Sequence, residues 1–247
     1  SACLLVNGEV VAAAEEERFR RIKHWAGFPS EAIKYCLAEA EVGAEDIDHV
    51  AFSRNPMAHL HKKAFFALTH RPKLSLITSR LANMARFGNG KELLASALGV
   101  RTSTLRAQFH RIEHHRAHSA SAFFVSPFQR AAVVSIDAFG DFRSTMVSLG
   151  DGSHMEQLSS VEFPHSLGIL YTAVTQYLGF WSFGDEYKVM GLASFGKPVY
   201  LNEFQRMLRP QPGGTFTLDL RYFLHASKGV SMTWNNSEPE IDRAYSD

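Results

Sequence analysis

Asn7-Gly8 sits between two apolar runs, Ala2 to Val6 and Val10 to Ala14. Both central residues of a two-residue hairpin turn need positive φ, which Asn and Gly tolerate, so the chain is expected to open on a β-hairpin. Beyond the charged run Glu15 to Lys23, Phe28-Pro29-Ser30 leads into Glu31 to Ala40. There Ile33, Cys36, Leu37 and Ala40 recur at helical spacing, with Ser30 expected as N-cap and Cys36 on the apolar, core-facing side. Asp48 to Ser53 then reads as a strand. Strand, strand, helix, strand predicts the α/β class.

The charges nearly cancel, 26 Lys and Arg against 25 Asp and Glu, which excludes a strongly basic nucleic-acid domain. No apolar run approaches the roughly 18 residues of a membrane span, and the first residues lack the basic start of a signal peptide. Cys3 and Cys36 are the only cysteines. Two thiols make no disulfide framework, so a reducing, cytoplasmic setting is the expectation.

Met57 to about Leu98 is helical in composition, with breaks at Arg71-Pro72 and Gly88-Asn89-Gly90. It reads as a helical insertion, either a solvated one with a buried stripe or a wall for an anionic substrate. A short strand is expected from Gln108, a helix near His115 to Phe124 and a buried strand at Ala131 to Ile136. Met146 to Leu149 and Met155 to Phe163 flank Gly150-Asp151-Gly152-Ser153 as a second hairpin. Leu167 to Leu178 and Glu186 to Phe195 are expected helices.

Chemistry concentrates in residues 110–128. Twelve histidines scattered at random would give roughly 0.6 pairs four apart. Two such pairs occur here, His110/His114 and His114/His118. On a helix, positions four apart share a face, so His114 and His118 can offer two imidazoles to one cation, while His110 falls on the preceding strand. The strand that follows ends in Asp137, a third hard ligand. Two His and one carboxylate leave coordination positions open, which suits a catalytic metal. The competing reading is a set of surface or core histidines and a polar turn.

Asp185, Glu186 and Lys188 cluster beside Val189, Met190 and Leu192, which are expected to pack. Lys188 is a candidate catalytic residue that contacts a phosphate or other anion; the alternative is an ion pair with Asp185 or Glu186. The glycines here are too far apart for a phosphate loop, and HExxH, GxSxG and CxxC are all missing from the sequence.

Taken in order, GEVVAAAEEERFRRIKHWAGFP, EHHRAHSASAFFVSPF, SIDAFGD and GDEYKVMGLASFGKP resemble the N-terminal part of NodU/CmcH-type O-carbamoyltransferases. The resemblance implies an actin-like, sugar-kinase-type (ribonuclease-H-like) α/β domain, incomplete within residues 1–247, with the helical insertion at about 57–99. It also implies transfer of a carbamoyl group from carbamoyl phosphate, through ATP and carbamoyl-adenylate, to a hydroxyl of a small molecule. His114, His118 and Asp137 match the family's ligands for a divalent metal, usually iron(II). The loop Ala138, Phe139, Gly140 and Asp141 matches the region facing the nucleotide phosphate.

Three departures stand out. A strand and a His-Asp turn carrying a candidate base would precede Ser1. The glycine-rich nucleotide segment, another metal-binding Asp and a YrdC-type domain would follow Asp247. The usual D-G-x-G-E is Asp137-Ala138-Phe139-Gly140-Asp141 here. Residues 1–247 by themselves are therefore expected to transfer little or nothing, and apolar surface left uncovered is expected to favour a homodimer. Two rival functions belong to other classes: a non-catalytic nucleotide-binding scaffold of the actin-like superfamily, and a metal-dependent hydrolase using the same three ligands.

Overall fold

The computed structural model describes residues 1–25, 27–70, 89–229, 232–235 and 238–246. The expected Arg71-Pro72 break and the basic stretch after it lie outside these residues. The chain divides into two compact units, one built mainly on residues 1–52 and 89–110, the other mainly on 53–70 and 111–229.

In the first unit, strands β1 (Ala2–Val6) and β2 (Glu9–Ala14) pair antiparallel. Asn7 (φ 54°) and Gly8 (φ 88°) form the left-handed turn that the dipeptide predicts. Helix α1 (Glu16–Arg20) precedes α2 (Ser30–Glu39), which buries Ala32, Cys36 and Leu37. The expected cap of α2 needs correction: Pro29 is the N-cap, and Ser30 is the first helical residue with no capping bond. Glu16 supplies the acceptors instead, taking the Glu31 N–H at 3.2 Å and the Ala32 N–H at 2.8 Å. A carboxylate at the positive end of a helix is well placed, and the Arg20 guanidinium at 2.7 Å holds it there. Strands β3 (His49–Phe52) and β4 (Gln108–Arg111) pair. The core gathers Leu94, Ala95 and Leu105 with Ile33, Val50 and Phe109.

In the second unit, α3 (Leu60–His70) and α5 (His114–Phe123) accompany a three-stranded antiparallel sheet; α4 (Gly90–Leu98) belongs to the first unit. The sheet runs β5 (Arg130–Gly140), β6 (Arg143–Asp151), β7 (His154–Glu162), in that spatial order. Its β6–β7 connection is the expected hairpin. Strand β5 departs from expectation in two ways. Among the described residues it is an edge strand rather than a buried one, with Val134 and Ile136 more than half exposed. It also runs past Asp137: Ile136 pairs with Thr145 and Gly140 with Arg143, so Asp137, Ala138 and Phe139 face the single residue Ser144. Such a bulge bends a strand and re-aims its side chains, here Asp137.

Helix α6 (Leu167–Tyr177) lies against β5, because Gly168 brings it close: a Cβ there would meet the Ala138 backbone nitrogen at 2.7 Å. Ser166 caps α6 by accepting from the Ile169 N–H and donates to the Asp137 carbonyl. Val161, Ile169, Leu170, Phe216, Leu218 and Phe223 form the core between α6, β7, β9 (Thr215–Leu218, paired with β8, Leu208–Gln211) and the segment that follows. Helix α7 (Glu186–Ala193) buries no residue. Met190 and Leu192, expected to pack, are exposed, because no described residue covers that face.

Candidate metal centre

His114 is the first residue of α5 and His118 lies one turn on, so both project from one face. The helix begins here because Glu113 acts as N-cap, its carboxylate accepting from the Arg116 N–H at 2.8 Å. His114 Nε2 lies 2.8 Å from Asp137 Oδ2 and 3.1 Å from His118 Nε2. His118 Nε2 lies 3.7 Å from the same carboxylate oxygen.

These spacings test whether the three residues suit a metal. Donors about 2.1 Å from one ion, at angles of roughly 90–110°, stand about 3.0–3.4 Å apart. The observed 2.8, 3.1 and 3.7 Å bracket that range, and the donor set of two imidazoles and a carboxylate suits iron, zinc or manganese. Among the described residues this is the one group of three or more such donors that converge, all within 4.8 Å. His118 is about half exposed, so the group is open to a further ligand.

The electrostatics agree. The hydrogen bond to Asp137 holds the His114 pKa above its ordinary value against the opposing effect of burial, helped by the Asp141 charge and a bond to the Ser53 backbone. The same His114 bond holds the Asp137 carboxyl below its usual range, with burial opposing and the Ala138 N–H assisting.

The neighbouring histidines separate cleanly. His115 is fully buried, its Nδ1 2.8 Å from Ser135 Oγ, and burial lowers its pKa. His110 sits on β4, as expected, and its Nε2 faces His49 Nδ1 at 3.0 Å.

Of the loop expected at a phosphate, Ala138 gives its N–H to Asp137 Oδ1. Phe139 turns into an aromatic cluster with Phe163 and His225. Gly140 is closely approached by the His114 ring, which a Cβ at this position would overlap. Asp141 accepts from the backbone N–H groups of Asn55 at 2.6 Å and His114 at 3.0 Å. Lys188 makes the ion pair weighed as its alternative, 2.7 Å from buried Asp185. Glu113, Ser166, Gly168 and Asn55 were not singled out from the sequence. Ser166, just ahead of the periodic run from Leu167, carries an N-cap signal that would have found it; the others act through contacts distant in sequence.

Comparison with known proteins gives the following. The family described as carbamoyltransferase N-terminus matches residues 1–237. An uncharacterised protein of Synechocystis is 38% identical over 240 residues, covering 94% of this chain and 39% of its own length. The nodulation protein NolNO of Sinorhizobium fredii is 37% identical over 199 residues, 81% of this chain and 28% of that protein. The nodulation protein NolO of Bradyrhizobium diazoefficiens is 45% identical over 87 residues, 35% of this chain and 16% of that protein. The chain thus spans about two fifths or less of the length of these relatives.

Proposed function

Because the chain belongs to the carbamoyltransferase N-terminus family, we propose that it carries the metal-binding half of an ATP-dependent O-carbamoyltransferase site. The observation that supports this best is the convergence of His114, His118 and Asp137 within 4.8 Å. A divalent cation held there, iron(II) by resemblance, would supply Lewis-acid charge for a phosphoryl oxygen of carbamoyl-adenylate.

The chain's own residues prepare that site. The hydrogen bond from His114 holds the Asp137 carboxyl below its usual range, so the anionic carboxylate is present at neutral pH. The β5 bulge and the Ser166 and Gly168 contacts fix the strand that carries Asp137. The reaction forms a bond from the acceptor hydroxyl oxygen to the carbamoyl carbon. It breaks the bond from that carbon to the adenylate oxygen, and AMP leaves with the electron pair. The hydroxyl proton goes to a base that the resemblance places ahead of Ser1. The actin-like architecture, the YrdC-type partner domain and a small-molecule acceptor belong to the same proposal.

Substitution of His118→Ala in the intact protein tests it, with bound metal measured by elemental analysis and AMP formation from ATP, carbamoyl phosphate and a small-molecule hydroxyl acceptor measured in parallel. Both are expected to fall by an order of magnitude or more. Unchanged metal content and unchanged AMP formation would overturn the assignment.

A further inference from the structure

Asp141 is held where a phosphate contact would waste it. One oxygen of its carboxylate, Oδ2, accepts two backbone N–H groups, Asn55 at 2.6 Å and His114 at 3.0 Å. The His114 N–H opens helix α5 and so has no partner within the helix. The Asn55 N–H belongs to the loop after β3. One acid therefore joins two segments that are 86 and 27 residues away from it in sequence.

Backbone geometry singles out the same place. Asp141 (φ 49°) and Phe142 (φ 79°) form the two-residue turn between Gly140 and Arg143, both in the left-handed region. Asp tolerates that region; Phe is an outlier there, and such outliers persist only where the surroundings over-determine them. The surroundings here are the Phe66 and Phe163 rings against Phe142 and the hydrogen bond from the Phe163 N–H to the Phe142 carbonyl. The same turn also presents Gly140 to the His114 ring.

We propose that Asp141 is a positioning residue for His114. It fixes the backbone of that ligand from one side of the turn while Gly140 admits its ring and Asp137 receives its Nε2. This rests on the metal reading of His114, His118 and Asp137, and gives Asp141 a task other than the phosphate contact implied by resemblance. The carboxylate also places negative charge at the N-terminus of α5, where the helix dipole favours it.

Two measurements on the intact protein test this. The first is hydrogen exchange of single amides without metal. The His114 and Asn55 amides are expected to be protected, to lose protection in Asp141→Ala and to keep it in Asp141→Asn, since one amide oxygen can accept both bonds. Rapid exchange at both positions in the unsubstituted protein overturns the proposal, even where Asp141→Ala fails to fold.

The second is titration with Co²⁺ alone, followed by its visible absorption. Asp141→Ala is expected to bind about 10-fold more weakly or worse with an altered spectrum, and Asp141→Asn to resemble the unsubstituted protein. Equal affinity and an equal spectrum in Asp141→Ala overturn the positioning role. His118→Ala separates the two readings. If it binds Co²⁺ as tightly as the unsubstituted protein, the metal reading fails, and amide exchange alone then decides whether Asp141 anchors His114.

Discussion

The imidazole of His114 lies so close to Gly140 that a methyl group on that glycine would stand 1.9 Å from its Cδ2 and 2.0 Å from its Cγ. No rotation about a side-chain bond of an alanine can relieve such an overlap. The ring itself must leave. Gly140→Ala is therefore expected to cost at least 10-fold in metal affinity while far-UV circular dichroism stays close to that of the unsubstituted protein. Gly191→Ala, inside α7 with open space around it, is the control and is expected to stabilise by about 0.5–1 kcal/mol. Full metal occupancy in Gly140→Ala would show that His114 does not need its present place.

Metal removal exposes the His114–Asp137 pair. With the metal stripped by a chelator, His114 is expected to titrate above its ordinary value because Asp137 holds its proton. A raised folded-state pKa contributes stability that is fully present below the unfolded value of 6.5 and is lost as pH rises through the folded one. Nitrogen-15 NMR of the ring would follow this directly. Asp137→Asn should bring the His114 midpoint down, and an unmoved midpoint would count against the pair.

Glu16 is 2% exposed and serves as the distant cap of α2. Burial works against its charge, yet the Ala32 N–H, Arg20 and the Glu31 N–H together leave its pKa below 4.5. Glu16→Ala would orphan two N–H groups and is expected to cost about 1–3 kcal/mol by chemical denaturation. The sign of the acid response follows. Stability from Glu16 is present above 4.5 and lost as pH falls through the lower folded value. A Glu16→Ala protein should therefore lose less of its stability on acidification below pH 4.5 than the unsubstituted chain does.

His59, His165 and His225 respond at milder pH. Burial lowers the pKa of each below 6.5, so the fold holds them neutral and must admit unwanted charge when they protonate. A depressed folded pKa makes stability rise with pH up to the unfolded value and fall below it. The second unit is expected to melt at a lower temperature at pH 5.5 than at pH 7.5. Protonation of His114 acts in the opposite sense, so chelated and metal-loaded samples should be compared. A melting temperature that holds or rises at pH 5.5 would contradict this account.

Local periodicity carried most of the elements and the convergence of the His114 and His118 rings. Asn7-Gly8 gives its hairpin, Gly152-Ser153 the β6–β7 turn, and the four-residue step from His114 to His118 needs only a helix to bring both rings together. The sequence placed Asp137 beside the two histidines but not how it is aimed, because a bulge depends on the partner strand. The apolar run Ala131 to Ile136 reads as buried on both faces; nothing in it reveals that β5 lies at a sheet edge. Long-range roles were hidden for the same reason. Glu16 reaches across 15 residues, His110 turns to His49 across 61, and Asp141 reaches Asn55 across 86.

The bulge at residues 137–139 makes the site sensitive to chain length in a way that substitution does not reveal. Neighbouring positions on a strand look to opposite sides of the sheet. Adding one residue between Ile136 and Asp137 would move the carboxylate one place along the strand and turn it toward the other side even if every amino acid type were kept. Relatives that retain this centre should therefore keep Asp137 and the number of residues between it and Gly140, while tolerating changes of side chain at positions 138 and 139.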